Sequence, residues 1–169
     1  MPARSDAVAL IGIATTVAVF DQLTKSLIVS AIGPGRTETR VGVVDGWLAL
    51  EYTQNRGAAF GLLAGLAPVL SAVSLAILAG LLVLYTGQAK PLLWQTVAIG
   101  LICGGALGNL VDRVRLGHVI DFLSVGPWPN FNIADSAITV GVLVLIWGMT
   151  RPDTDLARPT EGVDGGKLH

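Results

Sequence analysis

Four apolar stretches constrain this chain more than any other feature. The clearest runs from 91 to 111, PLLWQTVAIGLICGGALGNLV, with no charged residue in it. About 20 apolar residues in a helix cross the hydrocarbon core of a bilayer. Comparable stretches lie at about 7–32, where Asp21 and Lys25 interrupt the run, at about 63–86, and at about 132–150. Over the whole chain 52% of residues are hydrophobic and only 14% charged, and the mean hydropathy is +0.66. About a quarter of a soluble domain is charged. The pattern predicts an all-α membrane protein, a four-transmembrane-helix bundle, with helices at about 7–32, 63–86, 91–113 and 132–150.

The first stretch also fits a cleaved signal peptide, with Arg4 ahead of an apolar run. Apolar character resumes after Lys25 in SLIVSAI, however, and Asp21 and Lys25 are four residues apart, on one helix face where they partly neutralise each other. A retained helix is expected. The segment 38–57 is too polar to span. It carries Asp45-Gly46, a favoured hairpin turn, and alternates beyond it, so a small β element at the membrane surface is expected there. Residues 1–151 form one integral-membrane domain in this reading, and 152–169, rich in Pro, Gly and acid, a disordered cytoplasmic tail.

Net charge of −1 and the lack of a basic stripe argue against a nucleic-acid partner. The single cysteine, Cys103, excludes an internal disulfide and a multi-cysteine metal site, and reads as packing. His118 and His169 have no suitably spaced second ligand for zinc, so neither metal nor cofactor is expected. Five basic residues fall on each side of the expected topology, so their count does not orient it. Several on one side belong to a polar cluster, which places both termini in the cytoplasm. Trp47 and Trp128 then sit at one interface, Trp94 and Trp147 at the other.

In that topology the polar residues gather at the outer end. The third helix delivers Asn109, Asp112 and Arg113; the fourth begins with Asn132 and Asp135; Asp121 lies in the short connection between them; Asn55 comes from the outer loop, and Asp21 and Lys25 from the outer half of the first helix. Two adjacent carboxyl groups cannot both ionise cheaply, so one keeps its proton. The anionic member can take a proton from water and the protonated one can donate to a carbonyl under attack, which together hydrolyse a peptide bond. Each acid also has an ordinary structural role open to it: Asp112 an ion pair with Arg113 or Arg115 at a helix end, Asp135 a first-turn carboxylate, Asp21 a pair with Lys25, and Asp121 a solvated loop position. Asn109 and Asn132 can serve simply to satisfy backbone groups. A proton-coupled transporter and a noncatalytic scaffold packed through GGALG are the competing functions.

Four ordered blocks, DQLTK (21–25), NRGAAFG (55–61), GGALGNLVDRVRLGHVIDF (104–122) and FNIADSAITVG (131–141), resemble the bacterial lipoprotein signal peptidases, or type II signal peptidases. The resemblance covers nearly the whole chain. It implies an intramembrane aspartyl protease of the bacterial cytoplasmic (inner) membrane, multi-pass, with the site near the extracytoplasmic face under a β-cradle and a short surface helix. Its substrate would be a diacylglyceryl-modified prolipoprotein, cut just before the lipidated cysteine, and its partners that substrate and membrane lipid. One chain holds every expected catalytic group, so a monomer is expected. By motif position the resemblance makes Asp121 and Asp135 the catalytic pair. Asn55, Asn109, Arg113 and Asn132 match site-lining positions, Asp21 and Lys25 the first-helix motif, and Asp112 a supporting acid acting through a neighbouring arginine. Asp121 and Asp135 are close in sequence for this family, which implies a trimmed outer loop, and NRG stands where NTG is common.

Overall fold

The computed structural model describes residues 1–56, 67–88 and 91–150. Of four helices, α1 (Arg4–Ile32), α2 (Ala67–Thr86), α3 (Leu93–Leu116) and α4 (Ile133–Met149), the third is central and the other three pack against it. Three strands, β1 (Arg40–Val44), β2 (Leu48–Asn55) and β3 (Val119–Val125), cover one end.

Several helix boundaries have a local cause. At the start of α1 the Asp6 carboxylate accepts the Ala3 N–H at 3.1 Å, satisfying a donor that the helix leaves open. The helix stops at Gly33, whose N–H returns to the Val29 carbonyl at 3.1 Å, with Pro34 next. At Gly117 the backbone turns left-handed, φ 74°, and its N–H closes on the Arg113 carbonyl at 3.0 Å, ending α3. Asn132 caps α4.

The helices approach closely because α3 carries small residues on the faces they meet. Gly100, Gly104 and Gly108 recur every four residues on the side facing α1. A methyl group added at Gly104 would lie 2.6 Å from the Ala14 carbonyl oxygen, and one at Gly108 2.6 Å from the Asp21 carboxylate. Gly105 meets the Ala134 carbonyl of α4 in the same way. Without a hydrophobic drive between helices in lipid, this small-residue contact is how helices associate there. The distribution of polarity is inverted relative to a soluble protein. Leu27 is 66% exposed and Leu84 70%, whereas Asp21 is 0% and Lys25 2% exposed. By length and composition α1 and α3 are able to cross a membrane; α4 and the 71–86 part of α2 are shorter apolar helices.

The sheet is antiparallel in the order β1-β2-β3. β1 and β2 form the hairpin expected at Asp45-Gly46, with Gly46 at φ 71°. β3 was not expected as a strand. Its sequence, VIDFLSV, reads as a connection, yet Thr53 pairs with Asp121 and Asn55 with Val119, so Asp121 sits on a paired strand rather than in a loop. The α3 helix is shifted toward its C-terminal end relative to the expected 91–113, running Leu93–Leu116, so Asp112 and Arg113 lie about a turn inside it rather than at its end. No short surface helix occurs among the described residues. The residues expected to begin the second helix, 63–66, and the tail 152–169 lie outside the described residues.

Candidate active site

Every sequence-nominated polar residue except Arg113 joins one continuous hydrogen-bonded network at the sheet end of the bundle. At its base is Lys25. Its ammonium lies 2.8 Å from Asp21 and 2.8 Å from Asp112, and it donates to the Asn109 side-chain oxygen at 3.0 Å. Three ionised groups can be buried here because each has partners; a lone charge in an apolar interior would carry a penalty of several kcal/mol (roughly) even after relaxation. Asp21 also accepts the Ala134 N–H of α4 at 2.9 Å, and Asp112 accepts the Ile120 N–H of β3 at 3.0 Å. The triad therefore joins α1, α3, α4 and β3.

Asp112 was expected to work through an arginine. It pairs with Lys25, and the side chain of Gln22 donates to it at 2.8 Å. Successive residues on a helix point about 100° apart, so Arg113 faces elsewhere. Its guanidinium has no hydrogen-bond or ion-pair partner among the described residues, and it is half-buried. Gln22 was not singled out from sequence. Its amide also donates to the Gly108 carbonyl at 3.1 Å, tying α1 to α3. The available signal was its place in DQLTK, a polar residue in an otherwise apolar helix.

Above the triad stand three asparagines and two aspartates. Asn109 uses its oxygen for Lys25 and its amide for Asp135, at 2.8 Å. Asn132 uses its amide for Asp121 at 2.8 Å and for the Ile120 carbonyl at 3.2 Å, and reaches the Asn109 oxygen at 3.1 Å. Its backbone N–H donates to Asp135 at 3.3 Å, while its side-chain oxygen accepts the Asp135 N–H at 2.9 Å. Asn55, at the end of β2, donates to the second oxygen of Asp121 at 2.9 Å. Asn132 thus contacts both Asp121 and Asp135, and the pairing of β2 with β3 brings Asn55 to the first of them.

The environments of the two acids differ. Asp121 is 2% exposed, and Asp135 is half-buried. Burial pushes the Asp121 carboxyl up to about 6, and the nearby Asp135 charge adds to the rise. The hydrogen bonds from Asn55 and Asn132 and the charge of Lys25 act in the opposite direction. With its carboxyl raised to about 6, Asp121 is placed to take up or give a proton close to physiological pH, and Asn132 holds Asp135 beside it.

Residues 13–151 match the family described as Signal peptidase (SPase) II. The chain is 40% identical over 130 residues to a lipoprotein signal peptidase of Syntrophomonas wolfei, covering 77% of this chain and 85% of the relative. It is 39% identical over 150 residues to a lipoprotein signal peptidase of Moorella thermoacetica, covering 86% and 95%. Its fold is similar to a bacterial membrane enzyme solved by the in meso method at 2.3 Å, with a TM-score of 0.77 and 33% identity over 92% of this chain and 94% of that one. A second bacterial membrane enzyme, solved the same way at 1.9 Å, gives a TM-score of 0.75 at 36% identity, covering 84% and 92%. With a match over most of its length, this chain belongs to the signal peptidase II family of proteases.

Proposed function

We propose that this chain is an intramembrane aspartyl endopeptidase. It removes the signal peptide from diacylglyceryl-modified prolipoproteins by cutting just before the lipidated cysteine. Asp121 and Asp135 are its catalytic residues. The observation that carries the reading is Asn132 contacting both acids at once, one through its side chain and the other through its backbone.

In this mechanism one carboxylate removes a proton from a water molecule as that water attacks the scissile carbonyl. The protonated partner donates to the carbonyl oxygen, so no charge builds up there without a proton to meet it. Burial of Asp121 favours its holding the proton. A substrate that excludes further water strengthens that preference. Asn55, Asn109 and Asn132 orient the two carboxyl groups, and Asp21, Lys25 and Asp112 support Asn109 from below. Arg113, with no partner among the described residues, is available to a carbonyl of the substrate backbone.

The four helices are transmembrane, both termini are cytoplasmic, and the site lies near the extracytoplasmic face of the bacterial cytoplasmic membrane. Residues 1–151 form the one catalytic domain, acting as a monomer. The exposed apolar surfaces of all four helices support this placement. It lets the diacylglyceryl chains stay in lipid while the peptide reaches the site, with burial of the chains contributing about 0.8 kcal/mol per CH₂.

The test is cleavage of a diacylglyceryl-modified lipobox peptide by purified protein. Asp121→Asn and Asp135→Asn should each abolish turnover while the variants still insert into membranes. Normal turnover by either variant would remove that residue from the pair. A proton-coupled transporter would instead leave the peptide intact.

A further inference from the structure

A polar cavity of about 580 Å³ lies between α1 and α3 at the sheet end of the bundle. Its floor is the Lys25–Asp112 pair, and its apolar walls include Val29, Leu116 and Ile120. Neither catalytic candidate lines it. Two arginines do, Arg36 just past the end of α1 and Arg115 in the last turn of α3. Both are exposed, and neither guanidinium has a hydrogen-bond or ion-pair partner among the described residues. Asp112, the one carboxylate lining the cavity, is already engaged by Lys25, Gln22 and the Ile120 N–H. Counted formally, the buried Asp21–Lys25–Asp112 triad amounts to one negative charge at most, and the two arginines outweigh it. Ser26 and Ser30, also lining the cavity, donate their hydroxyl protons within α1, to the Gln22 and Leu27 carbonyls. The arginines are therefore the donors left to a ligand, and guanidinium pairs suit the oxygens of a phosphate group.

The neighbourhood says which phosphate. An apolar groove of about 570 Å³ runs along α1, lined by Gly12, Thr15, Thr16, Val19, Phe20 and Leu23. Gly12 and Val19 of the groove and Ser26 of the cavity recur at seven-residue intervals, so they share one helix face. A molecule with its phosphate between the arginines can lay a hydrocarbon chain along that face. A soluble anion would make no use of it.

The geometry points to the α1–α3 cavity as a binding site for the phosphodiester headgroup of an anionic phospholipid, held by Arg36 and Arg115 with an acyl chain along α1. The inference rests on this end of the bundle lying at a membrane surface, and not on the peptidase reaction.

The probe is phosphatidylglycerol against phosphatidylcholine, presented to the full-length protein in mixed micelles, with the retained lipid read by native mass spectrometry. Phosphatidylglycerol should be retained about 30-fold better, the scale expected for two basic residues at a membrane surface. Arg36→Glu with Arg115→Glu should abolish the preference. Arg36→Gln or Arg115→Gln alone should reduce it severalfold, which keeps the test open if the double variant misfolds. Arg40→Glu, which alters an arginine paired with Glu51 outside the cavity, should leave it unchanged. Equal retention of both lipids by the wild-type protein would overturn the proposal, as would an equal loss in Arg40→Glu, which would mean bulk charge alone. Displacement of the lipid by millimolar inorganic phosphate would overturn the lipid assignment in favour of a free anion. Because the readout is lipid retention, its failure leaves the peptidase reading standing, and the reverse.

Discussion

Asn132 and Asp135 hold each other from both directions. The Asn132 side-chain oxygen accepts the Asp135 N–H at 2.9 Å, and the Asp135 carboxylate accepts the Asn132 N–H at 3.3 Å. This reciprocal cap starts α4 and fixes the orientation of one candidate catalytic acid in the same stroke.

Separating these two jobs is possible. Asn132→Ala should lose about 1 kcal/mol of stability through the missing cap. Asn132→Ser keeps a capping oxygen and should recover most of that stability. Both lack the amide that reaches Asp121, so turnover should fall in both by about 100-fold, the scale for misplacing a reacting group by about 1 Å. Thermal melting and peptide cleavage, measured on the same preparations, check the pair. Full activity in Asn132→Ser would show that the cap alone matters.

The raised Asp121 carboxyl has a consequence for stability. Its value is about 6 in the folded chain against an ordinary 3.8, so the folded state binds this proton more tightly than the unfolded one. Its contribution is complete below about pH 4 and is lost as pH rises through about 6, a change of roughly 3 kcal/mol at most. Asp121→Asn has no such proton to lose. Melting temperatures of the two proteins should therefore diverge between pH 4 and 7, with the wild type falling relative to the variant. Asn55→Ala, which removes a hydrogen bond that opposes the rise, should move the wild-type transition to higher pH. Parallel curves for wild type and Asp121→Asn would contradict the assignment.

Lys25 is enclosed by two carboxylates, and removing it strands both. Lys25→Met should destabilise the protein by about 3–5 kcal/mol, the usual result of leaving a buried charge without its partner. Neutralising the carboxylates as well, in Asp21→Asn/Lys25→Met/Asp112→Asn, should recover much of the loss. Thermal aggregation in detergent reads both. If the single variant melts like the wild type, the triad is not a structural element.

Gly105 faces the Ala134 carbonyl with no room for a Cβ. Gly105→Ala must push α3 from α4, at about 1–3 kcal/mol, and so lengthen the Asn109–Asp135 contact. Turnover should fall more than melting temperature would suggest. Gly80→Ala on α2, where nothing lies within 4 Å of the added carbon, is the control: turnover should be unchanged and the melting temperature equal or slightly higher, alanine being the better helix former.

The helices were legible because their signal is long and repeated. The hairpin was legible because Asp45-Gly46 marks it, and the Asp21–Lys25 contact because four residues on a helix bring side chains together. β3 was missed for an identifiable reason. Its first four residues are all buried, so it lacks the alternation that betrays a half-exposed strand. The partner of Asp112 was missed because Arg113 and Arg115 are near it in the chain, whereas Lys25 is near it only in space. Gln22 was passed over beside its charged neighbours, although its contacts with Asp112 and Gly108 make it part of the joint between α1 and α3.

The placement of Lys25 also bears on biogenesis. Asp21 and Lys25 sit on one face of α1 and meet at 2.8 Å, so this segment is able to enter the bilayer as a self-compensated unit before any other helix exists. Asp112 arrives later on α3 and has a cation waiting for it. With α1 spanning the bilayer as proposed above, the ammonium of Lys25 enters lipid already accompanied by Asp21, and Asp112 joins a pair that is in place before it.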